Sequence, residues 1–133
     1  MLAKFLTLSK VLEFHEDLIR SFGGSPGVRD LALLESALAM PQSGSGDVFF
    51  HEFPFEMAGA YAFHIAQNHP FVDGNKRTAM TTALVFLEIN GYPVMGGEDE
   101  LEAATREIAS GKMDKKGFSD AIQKAYEDHK SSR

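Results

Sequence analysis

The run His69-Pro70-Phe71-Val72-Asp73-Gly74-Asn75-Lys76-Arg77 brings an imidazole, a carboxylate, a glycine, an amide and two cations into one short loop. An imidazole titrates near neutrality, so His69 is a candidate base for a hydroxyl proton. Asp73 offers a hard oxygen, suited to Mg²⁺ held together with water and phosphate oxygens. Gly74 lacks a Cβ and tolerates positive φ, which lets a ligand approach the backbone. The apolar run Lys76 to Asn90 reads as a helix, whose first N–H groups lack intrahelical partners and carry partial positive charge. A phosphate is favoured there. Asn75 is placed to cap this helix or to donate its amide to an oxygen. Lys76 and Arg77 put two cations in the first turn, against the helix dipole, which suggests an anionic ligand that outweighs the local cost.

Taken singly, these residues are ordinary. A His before a Pro is a loop residue, Asp-Gly is a turn, and Lys-Arg at a helix start is a solvated pair. Their conjunction ahead of an apolar helix points to a site with a base, a metal-binding oxygen and an anion cradle, although spacing alone does not name the reaction. Other groupings carry less. His51, His64, His69 and Asp73 invite a two-His, one-carboxylate metal site, but the sequence interval between His64 and His69 keeps them off one helical face. Gly74-Asn75-Lys76-Arg77-Thr78 lacks the spacing of a phosphate loop and has no strand before it. His15 lies on an apolar helix face and reads as a hydrogen-bonded core residue.

The elements that must position this loop are helical. Thr7 is a candidate N-cap for Leu8, Val11, Leu12, His15, Leu18, Ile19 and Phe22, which recur at helical spacing. Gly23-Gly24-Ser25-Pro26-Gly27 forms a turn. Asp30 caps a second helix, Leu31 to Met40, which Pro41 ends. Residues 42–47 are flexible by composition, and Val48 to Phe53 suit a short extended segment. Together they are a candidate flap beside the site. Pro54 suits the first position of a third helix, Phe55 to about Asn68. Phe55, Ala58, Gly59, Ala62 and Ala66 give that helix a stripe of mostly small residues where another helix can approach closely. The helix after the loop is apolar on most sides and so central and buried. Gly91 and Pro93 fit its C-terminus. Tyr92 to Met95 read as irregular or as a brief strand. A fifth helix spans about Glu98 to Ala109 and a sixth about Lys115 to His129, with a frayed tail at 130–133. The expected architecture is all-α: one domain over 1–133, a compact bundle of about six helices around a buried central helix that starts at the loop.

Cysteine is absent, which removes disulfides and thiolate metal sites. The N-terminal apolar residues are soon interrupted by Lys10, Glu13, His15, Glu16 and Asp17, so no signal-peptide core or membrane-spanning helix is expected, and the cytoplasm is the default location. The net charge is −6. Binding to a nucleic-acid backbone rests on Lys and Arg neutralising phosphates, so no direct nucleic-acid contact is expected and an RNA-cutting activity gains no support.

His69 to Arg77 resembles the Fic/Doc signature, H-P-F-x-[DE]-G-N-[GK]-R. The resemblance extends to Gly23-Gly24-Ser25-Pro26-Gly27-Val28-Arg29-Asp30, to Leu34-Glu35-Ser36-Ala37-Leu38 with Pro41-Gln42, and to Phe86-Leu87-Glu88-Ile89-Asn90-Gly91-Tyr92. Over about residues 5–126 it is closest to the Doc (death-on-curing) toxin branch. It implies a Fic fold that uses ATP and Mg²⁺. His69 would deprotonate a target hydroxyl, Asp73 would hold Mg²⁺, and Gly74, Asn75, Lys76 and Arg77 would surround the phosphates. The loop before Pro54 matches the family's substrate-aligning flap. Fic enzymes that transfer AMP typically have Gly where Lys76 stands. The lysine is similar to the Doc branch, in which the γ-phosphoryl group faces the acceptor. The implied reaction is phosphorylation of a protein Ser or Thr, with translation elongation factor Tu the family's associated target. Pro70 and Gly74 are Fic-like and depart from the founding Doc pattern, which keeps AMP transfer open as the alternative, beside a non-catalytic partner-binding domain. The inhibitory motif [ST]-x-x-x-E-[GN] is not matched, since Ser9 to Glu13 is followed by Phe14. The resemblance therefore implies restraint in trans by a small antitoxin of the Phd type.

Overall fold

The computed structural model describes residues 2–130. Of the tail expected at 130–133, residues 131–133 lie outside the described residues. The first helix, α1 (Leu8–Phe22), begins where Thr7 Oγ1 accepts the Lys10 N–H at 3.2 Å and ends at Gly23. Asp30 caps α2 (Leu31–Ala39) by accepting the Leu33 N–H at 3.0 Å. Pro41 does not simply stop this helix as expected at Met40. The chain tightens into a 3₁₀ turn, Met40–Gln42, which keeps the chain winding where Pro41 offers no N–H for an α-type bond.

The segment expected to be flexible up to 47 and extended from 48 forms instead a minimal antiparallel hairpin, β1 (Gly44–Ser45) with β2 (Val48–Phe49). A Cβ on Gly44 would lie 3.0 Å from the Phe49 Cα, so the pairing requires glycine there. Val48, Phe49 and Phe50 are exposed, although Phe49 meets the edge of Phe5 at 5.6 Å between ring centroids. Extension stops at Phe49 rather than reaching Phe53, because His51 and Pro54 turn inward and are buried.

Next comes α3 (Phe55–Asn68), with Pro54 at the position before the first turn and not inside it as expected. α3 packs against α2, α4 (Asn75–Ile89), α5 (Glu98–Ala109) and α6 (Lys115–His129). The small-residue stripe does what its composition implies. A Cβ on Gly59 would collide with the Ser119 side chain and lie 3.2 Å from its Cα, so α6 sits against bare backbone. Tyr61, Phe86, Phe118, Ile65 and Leu87 are fully buried and join the core. Each such side chain contributes about 1.5–3 kcal/mol of burial. α4 ends on Gly91, as its sequence implied: the Gly91 N–H bonds the Glu88 carbonyl at 3.1 Å and the Tyr92 N–H the Leu87 carbonyl at 2.8 Å. Tyr92 to Met95 form no strand. The extended N-terminal segment is tied to the core by the Leu6 N–H donating to Tyr61 Oη at 3.0 Å. The described residues form an all-α bundle of six helices, with the helix that follows the loop buried near its centre.

Candidate active site

α3 stops abruptly at His69, which takes a left-handed conformation, φ 48° and ψ 55°. For a residue with a Cβ this costs about 1–2 kcal/mol, so neighbours must hold it there. Arg29 does. Its Nε donates to the His69 carbonyl at 2.6 Å and its Nη2 to the Asn68 carbonyl at 2.8 Å, placing a cation on the negative end of α3. The backbone beside Arg29 continues the clasp. The Arg29 and Asp30 N–H groups both bond the Pro70 carbonyl, at 2.7 and 3.0 Å, and the Val72 N–H bonds the Gly27 carbonyl at 3.0 Å. The His69 ring is exposed and makes no hydrogen bond among the described residues.

Below the surface the loop is pinned by Phe71. Its ring is buried and stacks on His15, with centroids 3.9 Å apart and planes 9° from parallel. His15 Nε2–H donates to the Asp73 carbonyl at 2.8 Å, so this histidine is a hydrogen-bonded core residue, as its place on the apolar face implied. Asn75 is not the helix cap. Gly74 occupies that position at φ 78°, and Asn75 is the first residue of α4. The Asn75 side chain reaches back instead: Oδ1 accepts the Phe71 N–H at 2.9 Å and Nδ2 donates to the Phe71 carbonyl at 3.0 Å. With that amide held by the loop, Asn75 faces a ligand with its backbone N–H.

Asp73 is equally constrained. Oδ2 accepts the Ser25 N–H at 3.1 Å, and Oδ1 accepts the Gly74 N–H at 2.8 Å. These two bonds hold the carboxyl below the usual carboxylate range, so it is ionised at neutral pH. A Cβ on Gly24 would stand 2.8 Å from Oδ2, which explains a glycine there. Past Asp73, the backbone N–H groups of Asn75, Lys76 and Arg77 have no acceptor among the described residues, as expected of a first helical turn. The Lys76 side chain is exposed. The Arg77 guanidinium lies 4.2 Å from the centroid of the Phe22 ring, which stations it by a cation–π contact. Asp73 and residues 74–77 line one side of a cleft of about 240 Å³, with Met80 and, from α5, Glu102, Thr105 and Arg106 lining the rest.

The Fic/DOC family model matches residues 5–87, which hold the whole of this loop and its clasp. The chain belongs to the Fic/Doc family. Two curated relatives agree. The chain is 42% identical over 94 residues to "Toxin Doc" of Mycolicibacterium smegmatis (strain ATCC 700084 / mc(2)155), covering 65% of this chain and 72% of that protein. It is 30% identical over 125 residues to "Protein kinase doc" of Escherichia phage P1, covering 92% of this chain and 96% of that one.

In this Fic/Doc chain, His69, Asp73, Gly74, Asn75, Lys76 and Arg77 thus share one loop and helix start, but they do not all face one space. Asp73 and residues 74–77 line the cleft, whereas His69 stands outside it. Three supports were invisible to the residue-type argument. Arg29 grips two backbone carbonyls with its side chain, Ser25 offers its backbone N–H and Gly24 its missing Cβ, and their only signal was the flanking family match. Elsewhere, Lys115 Nζ donates to His64 Nε2 at 3.3 Å. Burial, the Lys115 charge and nearby His51 push His64 down to about 4. His51 and His64 therefore belong with α6 and not with the loop. Among the described residues no group of three or more acidic or histidine side chains can hold a metal by itself, so the two-His, one-carboxylate arrangement does not form. No described helix is long and apolar enough to cross a membrane.

Proposed function

We propose that this protein is a Doc-like toxin that transfers the γ-phosphoryl group of ATP to a Ser or Thr hydroxyl of a protein target in the cytoplasm. The family's associated target is elongation factor Tu, whose modification would arrest translation. One observation carries this reading. The first turn of α4 offers three N–H groups without acceptors, flanked by Lys76 and Arg77, with an ionised Asp73 at its mouth. That arrangement suits a polyphosphate. The names of two relatives, "Toxin Doc" and "Protein kinase doc", point the same way.

Mg²⁺ fits the donor set. Each Asp73 oxygen accepts one N–H and keeps further lone-pair capacity. A single carboxylate suffices when phosphates and water complete the shell. The ion would neutralise phosphate charge. The rest falls to the chain. His69 takes the hydroxyl proton as the acceptor oxygen bonds to the γ-phosphorus. The bond from that phosphorus to its bridging oxygen breaks, and the charge left on ADP is met by the N–H groups of residues 75–77, by Lys76 and by Arg77. Gly74 keeps the approach open. Positioning and charge stabilisation supply most of the acceleration in such transfers.

The second reading is AMP transfer, favoured by the Fic-like Pro70 and Gly74. A Phd-type antitoxin is proposed to restrain the protein in trans, in keeping with a Doc-type toxin. The test of the catalytic claim is His69→Ala expressed without antitoxin. The exposed ring makes no bond among the described residues, so folding should be unaffected. Target modification should fall about 10²–10⁴-fold, the usual worth of a general base. Growth arrest undiminished by the substitution would favour a non-catalytic partner-binding domain.

A further inference from the structure

Phe22 closes α1 yet keeps 64% of its surface in solvent, outside the core. Its ring meets one charged group, the Arg77 guanidinium, and no other ring among the described residues. We infer that Phe22 is a positioning residue for anion binding, holding Arg77 at the cleft with its N–H groups free for ligand oxygens. This rests on the phosphate reading of the α4 first turn.

Arg77 has no other tether. Its side chain makes no hydrogen bond or ion pair among the described residues. Arg29 and Arg106 show the usual alternative. Both are held by oxygens, Arg29 by two backbone carbonyls and Arg106 by the Glu102 carboxylate at 3.0 Å. An oxygen partner occupies donors, and a carboxylate also cancels the charge. The face of an aromatic ring attracts the cation and takes up none of its five N–H donors. An arginine left in solvent must lose rotamer freedom when it binds a ligand. On the Phe22 ring, part of that freedom is lost before the ligand arrives.

The residues that follow Phe22 serve the same site. α1 ends because Gly23, at φ 87°, donates its N–H to the Ile19 carbonyl at 2.8 Å. The chain then runs past Asp73, where the Ser25 N–H donates to Oδ2 and Gly24 leaves room for it. Ile19 seats this end of α1 on the start of α4. Its Cδ1 would stand 3.2 Å from a Cβ on Gly24 and 3.3 Å from one on Gly74. Residues 22–25 therefore fix a cation through Phe22 and a carboxylate through Ser25, and both Arg77 and Asp73 line the cleft. Phe22→Leu would keep the helix end apolar and remove only the face that holds Arg77.

The experiment titrates the full-length protein with inorganic tripolyphosphate in the presence of Mg²⁺. The proteins are wild type, Phe22→Leu, Phe22→Trp, Arg77→Ala, Phe22→Leu with Arg77→Ala, and Lys76→Ala with Arg77→Ala. All three side chains are exposed, so each protein should fold with an unchanged urea midpoint. Phe22→Leu should weaken binding about three- to fivefold, the worth of an exposed cation–π contact. Phe22→Trp keeps an aromatic face and should stay within about twofold of wild type. In the Arg77→Ala background, Phe22→Leu should change nothing further, because the ring acts through the guanidinium. A leucine variant that binds as tightly as wild type would overturn the inference, as would a tryptophan variant as weak as the leucine one. So would the full leucine effect in the absence of Arg77, or an Arg77→Ala protein that binds as wild type while the Lys76 and Arg77 pair is weakened. If that pair leaves binding unchanged, the phosphate reading itself falls and takes this role of Phe22 with it.

Discussion

Of its two expected roles Asn75 takes the second, donating its amide to an oxygen, but that oxygen is the loop's own Phe71 carbonyl, and substituting Asn75 tests the loop's construction. The side chain is 9% exposed and is bonded to both polar groups of Phe71, itself 1% exposed. Asn75→Ala leaves the Phe71 N–H and carbonyl without partners. Each buried orphan costs about 1–3 kcal/mol, offset by roughly 0.5 kcal/mol from alanine's better helix propensity. Water can reach part of the loop through the neighbouring exposed Asp73, so the expected net loss is about 2–4 kcal/mol. Asn75→Asp is the sharper probe. It keeps an acceptor for the Phe71 N–H but turns a carboxylate oxygen against the Phe71 carbonyl, at about 1–3 kcal/mol. A negative charge at the start of α4 returns about 0.3–1 kcal/mol. The order of stability should be Asn, then Asp, then Ala, read as urea midpoints with an unchanged slope. An aspartate variant as stable as wild type would refute the two-bond account, and so would an alanine variant that loses nothing.

Two further outcomes follow from neighbouring geometry. Arg29→Ala removes the guanidinium from the Asn68 and His69 carbonyls, and since Arg29 is exposed the loss of stability should be modest, about 1–2 kcal/mol. Phosphotransfer should fall further than stability, because the left-handed turn at His69 loses its brace; activity equal to wild type would show that the turn holds without it. His64 ionises near 6.5 when unfolded but only at about 4 when folded. The unfolded chain therefore takes up the proton first as pH falls, and stability is lost between pH 6.5 and 4 but intact above 6.5. The full gap corresponds to about 3.4 kcal/mol, which the partial exposure of His64 reduces to about 1–2 kcal/mol. Proton NMR of the His64 ring should give a midpoint near 4, and one near 6.5 would contradict the burial and Lys115 account.

Much of this arrangement was legible in the residue types. Thr7, Asp30 and Gly91 announced helix ends because caps depend on a side chain or a missing Cβ at a fixed place. Gly59 and its alanine neighbours announced a close helix, because a small-residue stripe has few other uses. The loop's chemistry was visible at His69, Asp73, Lys76 and Arg77 for the same local reason. What stayed hidden was long-range. Arg29 lies far from His69 in the chain, and nothing in its own neighbourhood says that it grips that carbonyl. Asn75 has the composition of a cap, and only the fold shows that its amide turns back to Phe71. The α5 wall of the cleft carries an ordinary i, i+4 ion pair, which in sequence is indistinguishable from a solvated helix face. The hairpin within residues 42–53 is hidden behind a flexible-then-extended composition, because two-residue strands lack any alternation to detect.

The central claim concerns which phosphate moves. Incubating the antitoxin-free protein and elongation factor Tu with ATP labelled at the γ or at the α phosphate tests it directly. The account predicts label on the target from γ-labelled ATP alone, abolished by His69→Ala. Transfer of the α label would contradict it and make the protein an AMP transferase.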